Sequence, residues 1–160
     1  MAGHERIQRL NQRLQSHSIV SLDTSIFIYQ FEAHPNYLPL TTAILSHTAD
    51  GKCQGVTSTI TLMELTVRPH QLGRKAVAQH YEMLLSNFPN LIMVDVDRSV
   101  ARKAAELRAR YRVRPADALQ VAAGLVHGAT AFLTNDHRLA RLGPIIDVIV
   151  LDAFFEEMTA

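Results

Sequence analysis

The chain has a single cysteine, Cys53, in 160 residues. No disulfide can close within it and no cysteine-based zinc site can form, which fits a reducing, cytoplasmic compartment. No apolar run comes near the ~20 residues that cross a bilayer, so no membrane role is expected. The first residues, MAGHERIQRLNQRLQ, are polar and lack the apolar stretch of a secretory signal. Their arginines could suggest an organelle presequence, but Glu5 and the scarcity of serine argue against one. There is no GxGxxG, Walker or GxSxG pattern, so dinucleotide, P-loop and serine-hydrolase chemistry find no support. Eight histidines include no HExxH pair. His137, next to Asp136, reads as a solvent-facing residue at a helix start, and Cys53 as a small apolar filler.

What is present suits one compact domain: 48% hydrophobic and 19% charged residues. The net charge of +1 conceals an uneven distribution. Arg98, Arg102, Lys103, Arg108, Arg110, Arg112 and Arg114 are seven of the 16 basic residues, opposed in their segment only by Glu106. Such a run is either a solvated helix face or a phosphate-binding edge, and charge alone does not separate the two.

Short apolar runs alternate with helical patterns. Strands are predicted at 19–22, 53–57, 91–94, 131–134 and 148–151. The spacing of Ile7, Leu10 and Leu14 predicts a peripheral helix over 5–16. Further helices are predicted from Ser25 to about Phe31, over 40–49, from Ser58 or Thr59 to Val67 with Pro69 as the stop, over 73–86, over 97–111, and from Pro115 to His127 with Gly128 beyond. The alternation implies an α/β domain with a mainly parallel sheet covered on both faces. Such sheets bind ligands beyond the carboxyl ends of their strands.

Four carboxylates are expected there. Asp23 follows the first strand and Asp136 follows 131–134; either could simply cap the next helix. Asp117 lies in the first turn of the helix opened by Pro115, where the helix dipole alone would favour an acid. It borders the stripe Ala118, Val121, Ala122 and Leu125. Glu64 is expected on one helix face with Ile60 and Val67, where a carboxylate needs a partner. Together these acids would repel one another, and a divalent cation would relieve that. Oxygen ligands suit Mg²⁺ or Mn²⁺.

At these residues the chain resembles the PIN-domain family of nucleases, which includes the toxins of bacterial VapBC-type toxin–antitoxin pairs. The matching pieces are VSLDTSIFIY, STITLMEL, RPADALQVAAGLVHGATAFLTND and HRLARL, within residues 19–151. The resemblance implies a PIN-like three-layer α/β/α sandwich with about five strands, over 19–160, preceded by a helical extension at 1–18. It implies that Asp23, Glu64, Asp117 and Asp136 bind metal and cut RNA, preferring single strands. Thr24, Thr134 and Asn135 match the polar positions beside the acids, and Thr24 and Asn135 are expected to hold the carboxylates in place. Arg102, Arg108, Arg112 and Arg114 are the expected contacts to the RNA backbone. A cognate antitoxin and a homodimer are the partners the resemblance suggests.

Two other readings stand beside this one. A catalytically silent PIN-like module would bind RNA or protein without cutting. A phosphatase or phospho-receiver would use Asp23 or Asp95. The phosphatase wants a second Asp where Ser25 stands, and the receiver wants an early acid pair that is missing.

Overall fold

A computed structural model describes residues 2–156. Five strands form one parallel sheet: β1 (Ile19–Leu22), β2 (Gln54–Ser58), β3 (Leu91–Val94), β4 (Ala131–Thr134) and β5 (Asp147–Val150). Their order is β3-β2-β1-β4-β5, with every neighbouring pair parallel. The sheet therefore reverses its winding at β1, and the carboxyl ends of β1 and its two neighbours open onto one crevice.

Each face of the sheet carries a core, as a strand buried on both sides requires. Val20, Leu22, Leu133 and Ile149 point to one face with α1 (Ala2–Leu14), α2 (Thr24–Phe31), α3 (Leu38–Ala49), α4 (Thr59–Gln71) and α5 (Lys75–Ser86). Val56 and Phe132 point to the other with α6 (Arg98–Tyr111), α7 (Pro115–Val126) and the 3₁₀ turns of His137–Leu142. A second 3₁₀ segment, Leu151–Phe154, follows β5. The three-layer α/β/α sandwich is thus the observed fold.

Three local expectations need correction. The helix after β2 does not stop at Pro69 but runs to Gln71. Pro69 lacks the N–H that would bond to Leu65, yet it sits in the last turn and is buried, so packing offsets one lost helical bond. Helix α1 is not peripheral. Leu10 and Leu14 are fully buried in the first core, worth about 1.5–3 kcal/mol each. Arg9 donates to the Phe154 carbonyl, while Arg13 and His17 both reach Asp147. Leu125, thirdly, is only partly buried, and the hidden face of α7 instead includes Gln120 and Gly124.

That last difference sets the distance between α7 and the sheet. A Cβ on Gly124 would stand 2.6 Å from the Ser21 side chain. Glycine therefore allows α7 to lie directly against β1. Its first turn, with Asp117, is carried to the crevice. The helix ends at Val126 with His127 as its C-cap, and Gly128 follows at φ +84°, the left-handed conformation that glycine tolerates best.

Candidate active site

Strand register brings the acids of β1 and β4 together. Leu22 pairs with Leu133, so Asp23 lies beside Thr134. The Thr134 hydroxyl donates to Asp23 Oδ2 at 2.7 Å and accepts from the Asp136 N–H at 3.1 Å. One threonine thereby ties the first acid to the last. Asp23 also caps α2, accepting from the Thr24 N–H at 2.8 Å.

Burial pushes the Asp23 carboxyl up to about 6. The bonds from Thr134 and Thr24 oppose this rise, and the charges of Glu64 and Asp117 add to it. Asp117 is half-buried, and burial raises it too, helped by Asp136 and opposed by Arg138 and Arg114. The four acids therefore sense one another in sequence, from Glu64 through Asp23 and Asp117 to Asp136. Asp136 itself is different. The Arg138 guanidinium grips it at 2.7 and 3.0 Å and holds its carboxyl below the usual range.

Glu64 does not lie on an apolar face. The buried side of α4 is Thr61, Leu65 and Pro69, while Glu64 and Val67 are exposed. Glu64 reaches the crevice through Thr24, whose hydroxyl donates to Oε1 at 2.7 Å. Its partner is thus the residue after Asp23.

Behind Thr24 lies a buried polar network that sequence reasoning missed. Gln120 of α7 donates through Nε2 to Thr24 at 3.0 Å and to Thr61 at 2.7 Å, and its Oε1 accepts from Ser58. Thr57 contacts Thr61 at 2.8 Å and the Leu22 carbonyl at 3.0 Å. Ser58 donates to Gln120 and Thr24 to Glu64, and Thr61 lies within hydrogen-bond reach of Thr57, Thr24 and Gln120. A fully satisfied network of this kind fixes side-chain positions. The available signal was a lone glutamine in the otherwise apolar run ALQVAAGLV.

The remaining expected residues divide. Thr24 and Thr134 touch acids. Asn135 touches none of them: it donates to Tyr29 Oη at 3.2 Å and accepts from the Asp152 N–H at 3.0 Å. Arg112 and Arg114 line a small pocket of about 90 Å³ with Asp117, Arg138 and Arg141. Arg102 is exposed on α6 and outside that pocket, and Arg108 is spent on the Val113 carbonyl at 3.2 Å. Arg138 and Arg141, three apart in HRLARL, are the basic residues that sequence reasoning left out.

The profile of the PIN domain family matches residues 20–144. The chain belongs to the PIN domain family. No curated protein sequence matches it. Among solved structures it is similar to VapBC2 from Rickettsia felis bound to a promoter DNA fragment, with 20% identity, TM-score 0.65, and coverage of 82% of this chain and 98% of that one. It is similar to a toxin–antitoxin complex from Klebsiella pneumoniae at 21% identity and TM-score 0.63, covering 82% and 97%. FitAcB from Neisseria gonorrhoeae gives 18% identity, TM-score 0.61, and coverage of 82% and 97%. These likenesses fix the PIN architecture. The PIN match omits α1 and β5, both of which complete the first core here.

The donor chemistry of this PIN crevice fits a hard divalent cation, since every candidate ligand is a carboxylate and burial penalises the charged form of Asp23. Among the described residues no three His, Cys, Asp or Glu are gathered closely enough to hold an ion as they stand. Asp136 is turned onto Arg138. No helix among the described residues is long and apolar enough to cross a membrane.

Proposed function

We propose that this PIN-domain chain is a metal-dependent endoribonuclease that hydrolyses single-stranded RNA, with Asp23, Glu64, Asp117 and Asp136 as the ligands of Mg²⁺ or Mn²⁺. The observation that carries the reading is Asp23. Its carboxyl ends the central strand, is pushed up to about 6, and feels Glu64 and Asp117. A cation would relieve that crowding. When bound, it supplies Lewis-acid polarisation of the phosphodiester and a water acidic enough to attack at neutral pH.

The chain's own residues do the rest. Thr134 and the Thr24 N–H orient Asp23. Thr24, held by Gln120, fixes one oxygen of Glu64 and leaves the other free for the ion. Arg112, Arg114 and Arg138 surround Asp117, where they would hold the phosphate oxygens.

The solved relatives are toxin–antitoxin complexes, which supports a cognate antitoxin for this chain also. A cleft of about 270 Å³ beside Glu64, lined by Phe31, Leu65, Leu72 and Tyr81 among others, offers such a partner an apolar seat next to the acids. An arginine from that partner would neutralise them.

The rival reading, a silent PIN-like binding module, draws on the Arg138–Asp136 pair, which occupies one ligand. Cleavage of end-labelled single-stranded RNA decides between them. Cutting is expected with Mg²⁺ or Mn²⁺, none in excess EDTA, and none with Asp117→Asn at unchanged circular dichroism. Full activity in EDTA or in Asp117→Asn would overturn the metal mechanism, and no cutting under any metal would favour the silent module.

A further inference from the structure

Beyond β4 and β5, on the side of the crevice away from the arginines, three rings form a group that the proposed chemistry does not use. Tyr29 at the end of α2 stacks on Tyr37, with centroids 4.4 Å apart and planes 20° from parallel. His34 lies 5.1 Å from Tyr29 and 4.8 Å from Tyr37, and Phe155 meets Tyr37 from outside the trio at 5.6 Å with perpendicular planes. All three are half-buried, unlike Phe27 and Phe132, which are fully enclosed in the cores. Their edges are pinned to the crevice. Tyr29 Oη accepts from Asn135, the residue before Asp136. Tyr37 Oη donates to Asp152, which also binds His137 at 2.9 Å and, through its N–H, Asn135. His34 Nδ1 accepts from the Asn36 N–H.

We propose that the Tyr29–Tyr37–His34 group is a stacking platform for one unpaired base of the substrate strand, the base adjoining the phosphate held at the acids. Three observations support it together. The rings are partly open, the two tyrosine hydroxyls are held by polar partners, and those partners are Asn135 and Asp152 at the strand ends beside Asp136. A π-face accepts any base, and only an unpaired base can reach one. The crevice then has phosphate-binding arginines on one flank and a base-binding surface on the other. A duplex, whose bases are stacked on each other, cannot use both. The inference rests on the nuclease reading and supplies a physical basis for its single-strand preference.

The test uses the full chain and a short single-stranded RNA in which one abasic nucleotide is moved position by position past the cleaved bond. Wild type is expected to lose about tenfold in kcat/KM, in the range of base–aromatic stacking, at one flanking position and little elsewhere. Tyr37→Ala should lose about as much on intact RNA and nothing more on the abasic strand. Tyr37→Phe, which keeps the ring, should retain the position-specific loss. A flat abasic profile in wild type, or losses that add in Tyr37→Ala, would overturn the platform. The wild-type profile needs no variant to fold.

A binding arm separates this from failure of the nuclease reading. RNA carrying 2-aminopurine at that position should be quenched on binding to wild type without metal, and not by Tyr37→Ala or His34→Ala. If nothing is cleaved but quenching is seen, the nuclease reading falls and the platform stands. If RNA is cleaved and no position is quenched, the platform falls alone.

Discussion

Asp23 and Asp136 occupy equivalent places, each capping the turn that follows its strand, yet their carboxyls are shifted in opposite directions. Asp23 belongs to an interior half. Around it Thr24, Thr134 and Gln120 are buried and neutral, with Gln120 bonded to Thr24 and Thr134 bonded to Asp23 itself. Asp136 belongs to an open half, where its counter-charge is the exposed Arg138. The interior half determines where an oxygen ligand stands but provides no positive charge. The open half provides charge but holds its acid by a side chain that water can reach. A cation would improve the first half directly and would have to compete in the second.

Removing the charge of Asp23 should have the largest effect and should split activity from stability. In the folded state its carboxyl is raised to about 6 from 3.8. The folded chain therefore holds a proton that the unfolded chain has lost between these values. The contribution of Asp23 to stability is greatest below about pH 4, falls as pH rises through 6, and is absent above it. The shift corresponds to about 3 kcal/mol. Asp23→Asn should abolish metal-dependent cleavage and raise the metal-free unfolding free energy at pH 8 by up to about 3 kcal/mol. That gain should shrink toward zero near pH 4. Urea unfolding with EDTA at pH 4.5 and pH 8 measures it, and equal stability of wild type and variant at pH 8 would mean that Asp23 is not strained by burial.

The next effect belongs to the network behind Glu64. Gln120→Leu leaves Ser58 without its acceptor and Thr24 and Thr61 without their donor. Unfolding should become easier by about 2–4 kcal/mol, since buried polar groups are stranded. Cleavage should fall about 10–100-fold, as for loss of other ligand-orienting partners. Gln120→Glu, which keeps the shape but brings a charge into the interior, should not rescue either. A variant with wild-type activity and lower stability would make the network purely structural.

These two residues also mark how far the sequence could be read. The β1 and β4 runs are short, apolar and each followed by an acid, so the sheet, its carboxyl edge and Asp23 and Asp136 were legible from local pattern. Gln120 was not, because its role depends on Gly124 letting α7 touch β1, a contact between residues about a hundred positions apart. Glu64 was placed at the crevice for an inexact reason: its partner is Thr24, not an apolar face. Arg102 and Arg108 had the right charge, but helix orientation and a backbone carbonyl take them away from Asp117. Pro69 misled because burial of its ring offsets the helical bond that its missing N–H costs. Leu10 and Leu14 showed their periodicity, but only the tertiary ties to Phe154 and Asp147 make α1 part of the core.

The smallest expected effect is at Arg138, and it tests whether the open half is a switchable one. The side chain is half-exposed at 51% while that of Asp136 is 23% exposed, and an ion pair of that kind adds little to stability. Arg138→Ala should leave the urea midpoint nearly unchanged. It should return the Asp136 carboxyl upward toward its ordinary value, since the guanidinium is what holds it down. The freed carboxylate should bind Mn²⁺ a few-fold more tightly by calorimetry, while RNA affinity falls and the log–log salt slope shrinks by about 0.7, one phosphate contact on a single strand. Opposite signs for metal and RNA would show that Arg138 does two things in turn, bracing Asp136 while the crevice is empty and taking a phosphate when substrate arrives. If both affinities fell together, Arg138 would be a fixed part of the ligand geometry, and the contrast between a locked half and a releasable half would not hold.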